Sequence, residues 1–295
     1  MPSLTRYNTP MPWLPFALLT AFSLATADAL TKRALKQTDE SVMVWVREGY
    51  ALPFISIALF FVPIPFLDKT FWTTLALLLP LEITAIFLYV KAIRLSPLSL
   101  TIPFMALSPA FILLIAFVIL GERPSLTGVA GVFLITSGAY LLNARASREG
   151  ILGPLRAILR EKGSVLMIIV AFIYSITATL GKMAVKHSSP VFFGFFYPLV
   201  LTAVLTVVLG WKGKLKGVTA RPGTFLSIGF FTAVMVLSHF IAISLTNVAY
   251  MISVKRTNLV FSVLYGRFMF EEENLRERLA GSAIMVIGVV LITLG

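Results

Sequence analysis

The segment "ISVKRTNLVF" (252–261) sets a lysine and an arginine side by side in an apolar stretch. A cation at the centre of a membrane helix costs roughly 2.5–3.5 kcal/mol, so Lys255 and Arg256 must face a polar cavity or counter-ions. A guanidinium grips phosphate or carboxylate through two parallel bonds, and a neighbouring ammonium adds a point charge. On a helical wheel Lys255, Asn258, Ser262 and Tyr265 share one stripe, with Arg256 about 100° around. Two readings follow. One is an anion-binding pocket lined by these residues and by His239; the other is an internal salt bridge to Asp28, Glu48 or Glu82.

The remaining intramembrane charges are few. Asp28 in "TADAL" pairs with a basic residue, lines the cavity or carries a coupling proton. Glu82, two residues after Pro80 in "LLPLEIT", is a proton carrier or a partner of Lys255 or Arg47. Arg47 and Glu48 in "VWVREGY" point about 100° apart, so each is expected to find its own partner close to the interface. These four are candidates for coupling or charge compensation. Lys32 and Lys182 lie near helix ends and read as snorkelling anchors, and Arg267 reads as a local partner of "EEE" (271–273). The chain has two histidines and no cysteine, which leaves no thiolate nucleophile and no clustered metal ligands; no cofactor or metal is expected.

The elements that position these groups are membrane helices. The chain has 295 residues, 58% hydrophobic and 13% charged, with a mean hydropathy of +0.92. That is too apolar for a soluble domain, and several windows reach the roughly 20 residues a bilayer span needs. The pattern predicts an all-α integral membrane protein with spans at 13–34, 42–63, 71–93, 97–120, 124–143, 164–185, 190–211, 223–245, 248–270 and 275–295. The first run ends in Lys32–Arg33 without a small-residue cleavage pattern and is expected to be retained. The net charge of +12 lies mostly in short loops, which points to topology rather than nucleic-acid binding.

Residues 1–143 and 164–295 form two five-span halves joined by a basic amphipathic linker, 144–163. A shift of 150 lays "AFSLATADALTKRA" on "AFIYSITATLGKMA" and 92–142 on 242–292 without a gap, matching Glu122 to Glu272, Gly131 to Gly281 and Gly138 to Gly288. Because five is odd, the second half enters the membrane in the opposite sense. Such inverted repeats are typical of secondary transporters, with the substrate near the midplane. Lys and Arg crowd the segments after spans 1, 3, 5, 7 and 9, which places those segments in the cytoplasm. Gly128, Gly131, Gly138, Gly281 and Gly288 offer close helix packing, and Pro97, Pro103 and Pro109 interrupt span 4.

The segment "KAIRLSPLSLTIPFMALSPAFILLIAFVILGERPSLTGVAGVFLITSGAYLL" (91–142) resembles the EamA-type members of the drug/metabolite transporter superfamily, carried by "ALSP", "LGER" and the small-residue stripe after it. The resemblance implies ten spans in two repeats. "VKRTNLVFSVLYG" (254–266) is similar to the ninth-span Lys–Arg motif of triose-phosphate and nucleotide-sugar translocators, which implies that Lys255 and Arg256 hold a substrate phosphate. The matched first-half positions, Met105 and Ala106, carry no cation.

The reading is a secondary transporter in a prokaryotic inner membrane, moving a small organic anion by alternating access. An exporter of amino acids, drugs or other neutral or cationic solutes, or a flippase for lipid phosphates or lipid-linked sugars, is the rival. An enzyme is not expected: no Ser/His/Asp set and no nucleotide loop is present. The expected partners are the solute and membrane lipid.

Overall fold

The computed structural model describes residues 12–96, 101–144, 162–270 and 275–294, and among these the only regular elements are helices. In chain order they are α1 (Trp13–Ala34), α2 (Glu40–Gly49), α3 (Leu52–Leu59), α4 (Lys69–Leu95), a 3₁₀ segment (Ile102–Leu107), α5 (Ser108–Leu120), α6 (Leu126–Ala144), α7 (Lys162–Lys186), α8 (Pro190–Trp211), α9 (Pro222–Leu245), α10 (Val248–Lys255), α11 (Asn258–Phe270) and α12 (Leu275–Leu294). A short 3₁₀ turn, Leu215–Thr219, precedes α9. Among the described residues, six stretches are long and apolar enough to cross a membrane, with α2 and α3 together forming one of them. The chain is a multi-pass integral membrane protein.

Local chemistry sets the ends. Asp39 caps α2, Asp68 caps α4 and Ser189 caps α8, each side chain accepting a backbone N–H of the first turn. Gly121 closes α5 in the left-handed region (φ 67°), where a Cβ is disfavoured. Pro53 lacks the N–H that would continue α2 into α3, and the span breaks at Tyr50–Ala51.

The two halves exchange partners. α1 packs along α9, and its counterpart α7 packs along α4; α2 and α3 meet α8, α5 meets α10, and α6 meets α12. The α6–α12 crossing is reciprocal at residue level. A Cβ on Gly131 would lie 2.6 Å from the Gly288 carbonyl, and one on Gly138 would lie 2.6 Å from the Gly281 carbonyl. The 150-residue shift turns the first contact into the second. A self-complementary interface of this kind is the signature of a two-fold relation between like units. Gly128 serves a different purpose: it makes room for the Tyr250 ring, whose hydroxyl meets the Ser125 N–H at 2.9 Å.

Candidate functional site

Span 9 is not one helix. α10 ends at Lys255, α11 starts at Asn258, and a tight turn joins them: Arg256 N–H donates to Ser253 O (3.0 Å) and Thr257 N–H to Val254 O (2.9 Å). The Thr257 hydroxyl also donates to Val254 O (2.8 Å), so a side chain takes a carbonyl the helix ladder would have used. Span 4 changes from 3₁₀ to α at the matching point, between Leu107 and Ser108, where Pro109 stands in the first turn. Ser108 and Asn258 are repeat counterparts, and each begins the second part of its span.

Arg256 bridges the two breaks. Its Nε and one terminal nitrogen donate to Ser108 Oγ at 3.1 and 2.7 Å, while Ser108 itself donates to Met105 O (2.8 Å). A guanidinium has five N–H donors, and among the described residues the others of Arg256 have no protein partner. Arg256 is 4% exposed, yet it makes no ion pair among the described residues. Lys255 also lacks an ion pair among the described residues, although Glu82 and Asp28 are its electrostatic neighbours.

Both cations line a cavity of about 140 Å³, together with His239, Arg47, Glu48, Glu82 and a ring of aromatic residues. Arg47 is already neutralised. It donates to Asp28 Oδ1 (2.8 Å) and to Thr31 (3.2 Å), its guanidinium lies 5.5 Å from the Tyr89 ring centroid, and Tyr89 OH donates to Asp28 Oδ2 (2.5 Å). Asp28 is completely buried with both oxygens partnered. Among the described residues, the cationic and carboxylate side chains that line the cavity without an ion pair are therefore Lys255, Arg256, Glu48 and Glu82. Glu82 sits beside Thr177 and Tyr197, and His239 Nδ1 is buried without a hydrogen-bond partner.

A second polar cluster ties the halves together. Lys182 Nζ donates to Glu122 Oε1 (2.5 Å) and to Thr246 O (2.6 Å), and the other Glu122 oxygen accepts the Val248 N–H (2.9 Å). The counterpart of Lys182, Lys32, makes the matching carbonyl contacts, donating to Ile93 O (2.5 Å) and Ser96 O (2.8 Å). These lysines bind inside the protein rather than snorkelling to the surface, because helix ends left unpaired carbonyls within their reach.

The EamA-like transporter family model matches this chain twice, over residues 11–144 and 161–294. The chain belongs to the EamA-like transporter family. Each match covers one half, so the two-repeat organisation and a membrane-transport role come with the family. A solved crystal structure of a protein has the same fold, with a TM-score of 0.63 over 96% of both chains at 17% identity. No curated protein matches the chain.

Within this EamA-like fold the expected site residues divide. Lys255, Arg256, His239, Arg47, Glu48 and Glu82 converge on the cavity, and Asp28 stands behind it through Arg47. Asn258, Ser262 and Tyr265 do not line it. The turn at Arg256–Thr257 interrupts the helix between α10 and α11, so a single wheel drawn through both no longer holds. Tyr265 instead meets Thr26 of α1 at 2.7 Å, while Asn258 and Ser262 are buried with polar atoms unpartnered. Arg47 and Glu48 were expected close to the interface, but both line the cavity. The charge partners expected for Arg267, at 271–273, and Glu272 lie outside the described residues. Ser108 and Tyr89 were not foreseen. Ser108 was detectable as the repeat counterpart of Asn258, whereas Tyr89 had no local signal.

Proposed function

We propose that this protein is a secondary transporter for a small organic anion, with ten spans in two inverted repeats, 1–143 and 164–295, joined by the linker 144–163. Lys255 and Arg256 bind the anionic group, and His239 lines the same pocket. The observation that carries this reading is the pair of adjacent cations lining a central cavity with no carboxylate in ion-pair contact among the described residues. A phosphorylated or carboxylated metabolite suits the free guanidinium edge of Arg256, as in the translocators that "VKRTNLVFSVLYG" resembles. The breaks at matched positions in spans 4 and 9, where the halves meet, support transport by alternating access. The basic segments after the odd-numbered spans support a cytoplasmic side for them, in what we read as a prokaryotic inner membrane.

The carboxylates across the cavity favour one second reading. Glu48 and Glu82 line the same cavity as Lys255 and Arg256, and groups of both signs in one cavity suit a zwitterion such as an amino acid. A panel of carboxylated, phosphorylated and zwitterionic metabolites, screened by thermal shift on the purified protein, tests both. Anion-induced stabilisation that disappears in Lys255→Ala and Arg256→Ala and survives in Glu82→Gln supports the anion reading. Loss in all three supports the zwitterion. An anion response unchanged in both cation variants defeats the anion reading.

A further inference from the structure

A second cavity, of about 410 Å³, lies at the membrane-boundary ends of α1 and α9, lined by Arg33, Arg221, Gly223, Thr224 and Ser227 among others. Both arginines are exposed, and neither makes an ion pair among the described residues, although the same region pairs Lys214 with Asp39 and Arg94 with Glu40. Two guanidiniums lining one cavity without a carboxylate bring together donors of the kind that bind phosphate oxygens.

The backbone adds to this. Arg221 stands at the N-cap of α9 without a capping side chain, Pro222 has no N–H, and the N–H groups of Gly223 and Thr224 have no hydrogen-bond partner among the described residues. The Thr224 hydroxyl is likewise unpartnered there. Nothing lies within 4 Å of where a Gly223 Cβ would be, so the space over that helix end is open. The counterpart α4 differs. Its N-cap, Asp68, supplies a carboxylate to the Phe71 N–H at 2.8 Å. Under the repeat shift Arg33 corresponds to Met183 and Arg221 to Phe71. Thus α4 carries its own anion, while α9 begins beside two arginines and has no side-chain cap.

We propose that the Arg33–Arg221 cavity is a phosphate-binding site at the membrane surface, taking the phosphate of an anionic phospholipid headgroup or free phosphate. Basic pockets between membrane helices select anionic headgroups in this way, and a helix N-terminus favours the same charge. The site is separate from the central cavity and does not depend on what that cavity transports.

The test is thermal unfolding of the full chain in detergent, titrated at constant ionic strength with phosphatidylglycerol, phosphatidylcholine or inorganic phosphate. The variants are Arg33→Gln with Arg221→Gln, and separately Gly223→Glu, whose carboxylate fits the open space and fills the site from within. Stabilisation of the wild type by phosphatidylglycerol beyond phosphatidylcholine, weakened about tenfold or more in both variants, supports a headgroup site. The same pattern with inorganic phosphate supports a free-phosphate site. Responses equal in wild type and variants, or absent throughout, overturn the proposal. Lys255→Ala is expected to respond like wild type, which separates failure here from failure of the transport reading.

Discussion

The guanidinium of Arg256 holds the hydroxyl of Ser108 through two hydrogen bonds, and each residue stands where its span is interrupted. The contact crosses between the halves. It fixes the orientation of a cation that lines the central cavity, and leaves the rest of its donor edge for a solute.

Ser108→Ala removes that orientation without removing the charge. The buried Arg256 then loses its described partner, at a cost of about 2 kcal/mol. The expected result is a lower Tm for the purified protein and weaker solute-induced stabilisation, with the Ser108→Thr variant closer to wild type. If Arg256 were held elsewhere, the alanine variant would unfold like the parent.

The buried pair Arg47–Asp28 invites a double-mutant cycle. Breaking it from either side, with Arg47→Gln or Asp28→Asn, leaves one uncompensated charge beneath the cavity and costs roughly 3–5 kcal/mol. The double variant carries no charge to strand, and Tyr89 can still bond the amide at position 28. Its measured destabilisation should be clearly smaller than the sum of the two single values. Additive losses would mean that the two charges act independently.

Much of this was legible in the sequence, and the exceptions have identifiable causes. α1 matches the expected 13–34 and α8 the expected 190–211, because Lys32–Arg33 and Ser189–Pro190 mark their ends chemically. The repeat was visible through Glu122 and the glycines, which pack closely but crosswise, Gly131 against Gly288 and Gly138 against Gly281, not each against its own counterpart. The break in span 9 was missed because "KRTN" contains neither proline nor glycine; a threonine hydroxyl and the tertiary contact to Ser108 produce it. Its counterpart in span 4 was flagged by Pro109. The partnership of Asp28 with Arg47 and Tyr89 joins three helices, α1, α2 and α4, and periodicity carries no information on such a meeting. Lys182 was misread for the same reason: its end-of-helix position suggested solvent, while Glu122 and the Thr246 carbonyl lie closer.

The glycine crossing of α6 and α12 predicts an overpacking penalty with a symmetric pattern. Added Cβ atoms at Gly131 and Gly138 would each lie 2.6 Å from a backbone carbonyl that cannot swing aside. Gly131→Ala and Gly138→Ala should each destabilise by about 1–3 kcal/mol, and Gly288→Ala should behave like its counterpart Gly138→Ala. Gly223→Ala, in open space, is the control expected to be neutral or slightly stabilising. The readout is the Tm of each variant in one detergent.

Asp68 makes the pH dependence specific. The Phe71 N–H it accepts, with help from the neighbouring His187 at 2.8 Å, holds its carboxyl below the usual carboxylate range. The folded protein therefore binds this proton less readily than the unfolded chain. Its contribution to stability is fully present above the unfolded value, about pH 3.9, and is lost as pH falls through the lower folded value. Asp68→Ala should lower Tm at pH 6, and its gap from wild type should close as pH drops below about 4. Asp68→Asn keeps a capping oxygen for Phe71 but not the pairing with His187, so it should fall between the two at pH 6. A gap that widens with acid would show that the carboxylate is not the group responsible.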